Sequence, residues 1–350
     1  MIPDDLLSKI ALLSPGTKLR KALDDIISAN LGALLFFVDD PQKYEDIIQG
    51  GFDLDCNFSP ERLYELAKMD GAIVISEDLS KILFANVHLV PDPMIPTLET
   101  GMRHRTAERV AKQTGQMVVA ISKRRNVISL YCGQYKYVMN DTRILMARVS
   151  QAINTLEKYR TNFDKIISEI EVNEFHSGVS IYDVARAVEK ALTIMKTYEE
   201  IYPYLVELGE EGKLMNMQLE EILEDIEDIT CLLVMDYSQK DLDLDQAREI
   251  VERLEQDRES SLLRIIRTLG IDVQNLAQAG EVISYPRGYR VLKYTAKIPI
   301  SVSAKVVKTF KNLRSLSEAT IDSLQSVDGI GEKRALAIAS AIGMIKNRVG

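Results

Sequence analysis

The residues from Leu145 to about Gly280 constrain the fold most, because strand signals disappear there and helical periodicity continues almost without a break. Apolar side chains recur every three or four residues, which is the repeat of an amphipathic helix. One such stripe comprises Ile153, Leu156, Tyr159, Phe163, Ile166, Ile167 and Ile170, and similar stripes occupy Val184 to Leu208, Leu214 to Tyr237 and Leu244 to Leu269. The middle of the chain is therefore predicted to be a bundle of long helices.

The first 145 residues differ, because short apolar segments of strand length alternate there with helices. Helices are predicted on both sides of Ser14-Pro15-Gly16 and from the cap Ser59-Pro60, and Gly32 to Val38 is predicted to be a buried strand. Further strands are predicted at Ala72 to Ile75, Lys81 to Leu89, Gln116 to Ser122 and Asn126 to Cys132. This alternation predicts an α/β domain, a mixed β-sheet flanked by helices.

Length and charge divide the chain further. A chain of 350 residues exceeds the usual size of one domain. The net charge is -9, yet Pro286 to Gly350 contains twelve Lys and Arg against four Asp and Glu, which is typical of a basic module on an acidic body. We predict three domains, at residues 1–145, 146–285 and 286–350. No apolar run approaches the ~20 residues of a membrane span and the first residues do not resemble an export signal, so we expect no membrane partner and a cytoplasmic location.

The basic end contains the pattern of a helix-hairpin-helix from Leu324 to Ile338, built around the sequence G-I-G. Such a hairpin presents backbone N–H groups to a phosphate at the start of the next helix, and it holds the sugar-phosphate backbone without reading bases. The DNA-binding residues predicted here are Gly329, Gly331, Lys333 and Arg334. A plain helical hairpin used for packing is the alternative.

A second anion site is predicted at the sequence G-M-R-H-R-T, Gly101 to Thr106. Thr100 is a candidate cap for the helix that follows, and Gly115 is placed to end it. Cations are normally disfavoured at a helix start, so Arg103, His104 and Arg105 there indicate a bound phosphate. A solvated basic cap is the alternative.

The sequence D-G-A at Asp70 to Ala72 is predicted to lie between a helix and a strand. Asp70 offers a hard carboxylate oxygen for a divalent cation, and Gly71 lets a ligand approach the backbone closely. The alternative is an ordinary turn. The sequence S-K-R-R-N at Ser122 to Asn126 is predicted to lie at a hairpin tip, where a solvated loop is equally compatible with the pattern.

Together, D-G-A, R-H-R-T-A-E-R and S-x-R-R-N-x-I-S-L-Y resemble the diadenylate cyclase domain of the bacterial DNA integrity scanning proteins, and the helical middle and helix-hairpin-helix end follow in that family's order. The resemblance implies condensation of two ATP into cyclic di-AMP with release of two pyrophosphates, assisted by Mg²⁺ or Mn²⁺. It implies an octamer of two facing tetramers, association with the nucleoid, and a tail that binds branched or junction DNA and couples DNA state to synthesis.

The resemblance also implies a set of site residues. Asp70, Arg103, His104 and Arg105 would be catalytic, with Asp70 at the metal. The implied ATP contacts are Gly71, Ala72, Leu89, Met102, Arg103, His104, Arg105, Thr106, Ser122 and Arg125, of which Leu89 and Met102 would act through their backbones. His88, in a predicted strand, is expected to be structural.

Two other function classes remain open from the residues themselves. A non-catalytic DNA-binding protein could use R-H-R-T to hold a phosphodiester backbone, and it would turn over no nucleotide. A metal-dependent nuclease or ATPase would activate water and yield cut DNA or ADP. The chain contains no G-x-x-x-x-G-K phosphate loop.

Overall fold

The computed structural model describes residues 3–257 and 261–349 of the chain, with side chains up to residue 346. The chain divides into two compact units. The first contains Met1–Gln151 and Glu200–Met217, and the second contains Ala152–Glu199 and Gln218–Gly350.

The first unit contains an eight-stranded sheet in the order β2-β5-β4-β1-β6-β7-β8, with β3 also paired to β5. Its strands are β1 (Leu34–Val38), β2 (Ile48–Gln49), β3 (Phe52–Asn57), β4 (Ala72–Ser76), β5 (Lys81–Leu89), β6 (Met117–Ser122), β7 (Val127–Cys132) and β8 (Tyr135–Val138). Its early helices are α1 (Asp4–Leu12), α2 (Lys18–Ser28), α3 (Pro60–Leu66) and α4 (Met102–Thr114), and a 3₁₀ turn spans Pro41–Tyr44. Strands β1 and β4 pair in parallel while the other described pairs are antiparallel, which confirms the predicted mixed sheet.

Strand β1 is apolar throughout because both faces of the sheet are covered. Leu35 and Phe37 lie in a core shared with α1, α2 and α3. Leu34, Phe36 and Val38 lie on the other face, in a core shared with α4. Alternate side chains of a strand point to opposite faces, so a strand buried on both faces has no polar positions.

Three strands of this sheet were not predicted from the sequence. These are β2, β3 and β8, and most of their side chains are exposed. Strand β3 is also interrupted by an irregularity in its pairing with β5, where Asp55 has a φ of 35°. Short exposed strands carry little apolar patterning, so they are indistinguishable from loops in the sequence.

The helices that follow are α5 (Thr142–His176), α6 (Ile181–Leu208), α7 (Lys213–Leu223), α8 (Ile226–Tyr237), α9 (Leu244–Gln256), α10 (Leu262–Thr268) and α11 (Leu276–Glu281), with a 3₁₀ turn at Gly209–Gly212. The predicted apolar stripe from Leu214 to Tyr237 is helical, but it is divided between α7 and α8. It breaks at Asp225, whose φ of 62° is incompatible with a continuing helix. The predicted stretch Leu244 to Leu269 likewise contains two helices, and residues 258–260 between them lie outside the described residues.

The prediction that no strand lies between Leu145 and about Gly280 is wrong in one place. Strand β9 (Val179–Ser180) pairs antiparallel with β10 (Ile283–Ser284). Two residues are too few for a periodic pattern, and this pairing is created by contacts between distant segments.

The chain ends with a π-helical turn at Val291–Thr295 and helices α12 (Ile300–Phe310), α13 (Leu313–Ser317), α14 (Ile321–Gln325) and α15 (Glu332–Val349). The buried side chains of these elements belong to the same core cluster as those of α8 and α9. A buried ion network lies in this core. The guanidinium of Arg290 donates to Glu171 at 2.7 Å and to Glu174 at 2.6 Å, and Glu174 also accepts from the Tyr237 hydroxyl at 2.7 Å.

Among residues 3–257 and 261–349, no helix combines the length and apolarity needed to cross a bilayer.

Candidate functional site

The pairing of β1, β4 and β6 brings distant polar motifs to one edge of the sheet. Because β1 and β4 are parallel, the residues that precede them, Gly32 and Asp70-Gly71, lie at the same edge. Strand β6 runs antiparallel to β1, so its last residue, Ser122, also lies there. The N–H of Ile121 donates to the Ala33 carbonyl at 2.8 Å and fixes this alignment.

The D-G-A turn is pressed against the end of β5. Gly71 has a φ of 94°, and a Cβ at this position would lie 2.9 Å from backbone atoms of Asn86 and Val87. Only glycine fits such a left-handed turn and so close a backbone approach. Asp70 is exposed beside it, while Ala72 is buried and pairs with Val87.

The two residues that end β5 differ in their surroundings. Leu89 is half-buried, pairs with Ile48 of β2 and packs against the core beneath α4. His88 is exposed and pairs with Gln49.

Helix α4 begins at Met102, directly after the N-cap Gly101. The predicted cap by Thr100 is wrong, because the cap residue is Gly101 and no side chain accepts a hydrogen bond there. The first-turn N–H groups therefore lack the usual side-chain acceptor, which leaves them able to donate to an anion. The predicted end at Gly115 is confirmed, since this residue has a left-handed φ of 75°.

The basic residues of this first turn are Arg103, His104 and Arg105, and all three, like Thr106, are half-buried. The Arg103 side chain lies against Gly32, where a Cβ would stand 2.4 Å from its Nη1 atom. Gly32 thus provides the space for the Arg103 guanidinium at the sheet edge. Met102 differs, since its side chain is 77% exposed.

The S-K-R-R-N segment forms the tip of the β6–β7 hairpin, as predicted. The Ser122 hydroxyl accepts from the Arg125 N–H at 3.3 Å, and Asn126 closes the turn with a φ of 51°. Lys123, Arg124 and Arg125 are exposed. The charge of Arg125 acts on His104, so the tip and the start of α4 form one electropositive region.

His104 belongs to a hydrogen-bonded chain that sequence reasoning missed. Its Nδ1 lies 3.0 Å from the Tyr131 hydroxyl, which donates to Glu99 Oε1 at 2.9 Å. Glu99 also forms an ion pair with Lys136. Burial lowers the pKa of His104, and it raises the pKa of Tyr131. The S-L-Y at the end of the third motif was a possible signal for Tyr131, but nothing in the sequence marked Glu99.

The segment before α4 is fastened along that helix. Arg109 Nε donates to the Ile95 carbonyl at 2.9 Å, and Lys112 Nζ donates to the Pro96 carbonyl at 2.9 Å. Thr97 also donates to Glu108, whose carboxylate accepts from Lys112 at 2.6 Å. These bonds hold Glu99 in position near the start of α4.

Asp70 is the one carboxylate among the predicted site residues, and a single carboxylate suits a metal that is shared with a substrate. Within the described part of the chain, no three His, Cys, Asp or Glu side chains form a metal-binding group. Mg²⁺ is commonly held by one or two carboxylates together with water and substrate phosphates. Asp70, exposed at the sheet edge, fits that kind of site.

The C-terminal hairpin lies between α14 and α15. Gly329 has a φ of 89°, and Gly331 immediately precedes α15. Gly329, Gly331, Lys333 and Arg334 are all exposed. The Arg334 guanidinium donates to the Gly329 carbonyl at 2.7 Å, so it also stabilises the hairpin.

Three family models match the chain in succession. Residues 20–135 match the DisA bacterial checkpoint controller nucleotide-binding model, and residues 139–278 match the DisA bacterial checkpoint controller linker region. Residues 312–341 match the helix-hairpin-helix motif.

Curated relatives are similar over nearly the whole length. The DNA integrity scanning protein DisA of Thermotoga petrophila is 57% identical over 348 residues, which cover 99% of both chains. The protein of the same name from Clostridium kluyveri is 41% identical over 345 residues, which cover 99% of this chain and 96% of the relative. Matches of this extent, together with the order of the three models, establish that the chain belongs to the DisA family of DNA integrity scanning proteins.

Proposed function

We propose that the protein is a diadenylate cyclase that condenses two ATP into cyclic di-AMP and two pyrophosphates. The observation that carries this proposal is the convergence at one sheet edge of the Asp70-Gly71 turn, the uncapped start of α4 and the hairpin tip. A carboxylate for a metal, free N–H groups and several arginines in one place suit a nucleoside triphosphate.

The predicted residues divide between the phosphates and the rest of the nucleotide. The side chains of Arg103, His104, Arg105 and Thr106 hold the phosphates, with Ser122 and Arg125 approaching from the hairpin. Gly71, Ala72, Leu89 and Met102 contact the nucleotide through their backbones. No protein nucleophile is required, because positioning and charge neutralisation account for most of the catalysis of phosphoryl transfer.

Asp70 would hold Mg²⁺ or Mn²⁺ in this site. The metal, when bound, would neutralise phosphate charge during the transfer. Asp70 would also orient the 3′ hydroxyl of the ribose.

Two copies of the site must face each other, since each ATP supplies the 3′ hydroxyl that attacks the other. In the segment before α4, Leu98 is 97% exposed and Met94 is 84% exposed, so these side chains are accessible to another copy of the chain. We propose an octamer of two facing tetramers.

The hairpin between α14 and α15 is proposed to bind branched or junction DNA through backbone phosphates, and the bound DNA to change the rate of cyclic di-AMP synthesis. Such coupling requires DNA to bind one arrangement of the assembly more tightly than another. The division into a cyclase domain at 1–145, a spacer at 146–285 and a DNA-binding domain at 286–350 remains our functional division. We propose that the protein acts in the cytoplasm, in association with the nucleoid.

The reaction is tested by incubating the protein with ATP and Mg²⁺ or Mn²⁺ and resolving the products by chromatography. We expect cyclic di-AMP and pyrophosphate. The variant Asp70→Asn keeps the side-chain size but removes the charge, so synthesis should fall by orders of magnitude while the fold persists. ADP as the product, or cut DNA, would favour the nuclease or ATPase alternative, and no turnover would favour a non-catalytic DNA-binding protein.

The DNA site is tested by point variants rather than by deletion, because the tail shares its core with α8 and α9. Lys333→Ala should weaken binding to a four-way junction at all sequences, and binding should fall steeply between about 50 and 200 mM salt. Lys308→Ala is the matched control, since Lys308 is an exposed lysine of α12 outside the hairpin. If both variants lose the same affinity for the junction, the hairpin does not bind the DNA.

A further inference from the structure

A chain of hydrogen bonds leads from the surface to one nitrogen of His104. Lys136 pairs with Glu99, Glu99 accepts from the Tyr131 hydroxyl at 2.9 Å, and that hydroxyl lies 3.0 Å from His104 Nδ1. Tyr131 is 1% exposed, and the Glu99 side chain is 16% exposed. Strand pairing fixes the positions of two members of this hydrogen-bonded chain, because Tyr131 of β7 lies opposite Lys136 of β8.

The direction of each hydrogen bond follows from the number of available protons. An ionised carboxylate only accepts, so the single Tyr131 proton is donated to Glu99. The Tyr131 oxygen must then accept from His104, which means that the proton of the neutral imidazole is on Nδ1. The other ring nitrogen, Nε2, is the one left for a ligand, as in the pairing of a histidine with a carboxylate at many catalytic sites.

The groups around His104 have opposing effects on its pKa. Burial lowers the pKa of His104, the Glu99 carboxylate acts to raise it, and the cations Lys136, Arg103 and Arg125 add to the lowering. For Glu99, burial acts to raise the pKa, but the Lys136 ion pair, the Tyr131 hydroxyl and His104 outweigh it and keep the carboxyl ionised. An anion at the start of α4 would add negative charge and favour the imidazolium.

We propose that Glu99 and Tyr131 are positioning residues that hold His104 with Nε2 toward a substrate phosphate and stabilise it there as a charged donor. This inference rests on the proposed function, because it assumes a triphosphate at the start of α4. When the triphosphate binds, the imidazole takes up one proton from solution on Nε2. Both ring nitrogens then donate, Nδ1 to Tyr131 and Nε2 to a phosphate oxygen.

The test measures binding of 3′-deoxyadenosine triphosphate with Mg²⁺ between pH 5.5 and 9 by calorimetry, in two buffers of different ionisation heat. This probe lacks the attacking hydroxyl, so binding is separated from chemistry. For the wild-type protein we expect proton uptake on binding and a loss of affinity as the pH rises through the pKa of bound His104. The pH at the midpoint of that loss reports on His104.

Two variants should move this midpoint in opposite directions. Glu99→Gln still accepts from Tyr131 but removes the charge that favours the imidazolium, so the midpoint should fall. An opposite charge in direct contact shifts a pKa by about 1 to 3, and this one acts through a hydroxyl, so we expect a fall of roughly 0.5 to 1. Lys136→Met removes a cation that disfavours the imidazolium, so the midpoint should rise.

A third variant, Tyr131→Phe, keeps the buried ring but removes the hydroxyl that links Glu99 to His104. The affinity for the probe at pH 6 should therefore fall, and the proton uptake on binding should shrink. Thermal unfolding of each variant checks that the fold is retained. A purely structural role predicts equal loss of affinity at every pH. Midpoints that do not move, or that move in the same direction for Glu99→Gln and Lys136→Met, would overturn the proposal.

The outcome is distinguishable from failure of the proposed function. If the probe binds with this pH dependence and the variants move the midpoint as expected, but the wild-type protein makes no cyclic di-AMP from ATP, the proposed reaction is wrong and the positioning role stands. If it makes cyclic di-AMP while the midpoints stay fixed, the positioning role is wrong and the reaction stands.

Discussion

Replacing Arg290 by methionine should destabilise the second unit strongly. The Arg290 side chain is 4% exposed and donates to two carboxylates, of which Glu174 is 1% exposed. Its loss leaves Glu174 buried with the Tyr237 hydroxyl as a remaining donor. Removing one partner of a buried ion pair costs about 3 to 5 kcal/mol, because the other charge stays desolvated and uncompensated.

The magnitude can be expressed as a change in Tm. For a unit of roughly 150 to 250 residues, 1 kcal/mol corresponds to about 2 to 4 °C, so Arg290→Met should lower Tm by about 6 to 20 °C. Scanning calorimetry measures this shift. Hydrogen exchange should show increased opening in α8 and in the turn at Val291–Thr295.

The controls separate charge burial from other effects. The double variant Arg290→Met/Glu174→Met replaces both charges by apolar groups and should recover much of the loss. Lys305→Met removes an exposed pair, 51% and 88% exposed, and should cost no more than about 1 kcal/mol. A Tm for Arg290→Met within 2 °C of the wild-type value would refute the reasoning, since about that shift corresponds to the loss of a surface pair.

Three further predictions concern the site and the response to pH. The double variant Arg103→Ala/Arg105→Ala should weaken ATP binding by about 100-fold or more, since hydrogen bonds to charged groups are each worth about 1.5 to 3 kcal/mol. Its circular dichroism should not change, because the substitution removes like charges from a helix start; unfolding would favour a structural role. Gly32→Ala places a Cβ 2.4 Å from Arg103 Nη1, so the guanidinium must shift, and KM for ATP should rise by up to about 10-fold without a large loss in Tm; an unchanged KM would show that this shift does not disturb ATP binding. The pKa of Glu255 is raised to about 7, mainly by burial and then by the negative charges of Glu199 and Glu227. The folded state therefore favours the protonated carboxyl. The stability that this group contributes to the wild-type protein is present at low pH and is lost as the pH rises through 7. Glu255→Gln should therefore raise Tm at pH 8 and leave it nearly unchanged at pH 5, as measured by thermal scans at both values.

Local sequence determined the elements whose signals are short-range. The buried strand β1, the β6–β7 hairpin with its K-R-R tip and the start of α3 at Ser59-Pro60 were all predicted and are all present. Gly115 ends α4 as predicted. Apolar runs, caps and turn residues act within a few positions of the chain, so they are readable without a fold.

The exposed strands β2, β3 and β8 were not readable in this way. Their identity depends on backbone pairing with neighbours rather than on apolar side chains that face a core. The cap of α4 was mispredicted for a related reason, since Thr100 has the right side chain but lies one position before the residue that caps the helix.

The motifs of the candidate site are recognisable in the sequence, but their convergence depends on the tertiary structure. The motifs D-G-A, R-H-R-T and S-K-R-R-N could be picked out from residue type, because arginines at a helix start are unfavourable without an anion. Their convergence required the parallel pairing of β1 with β4 and the antiparallel pairing with β6. Glu99 and Tyr131 are 32 positions apart, and Arg290 and Glu174 are 116 apart. Such partners meet only when the chain has folded, because hydrogen bonds and ion pairs depend on distance in space and leave no periodic trace along the sequence.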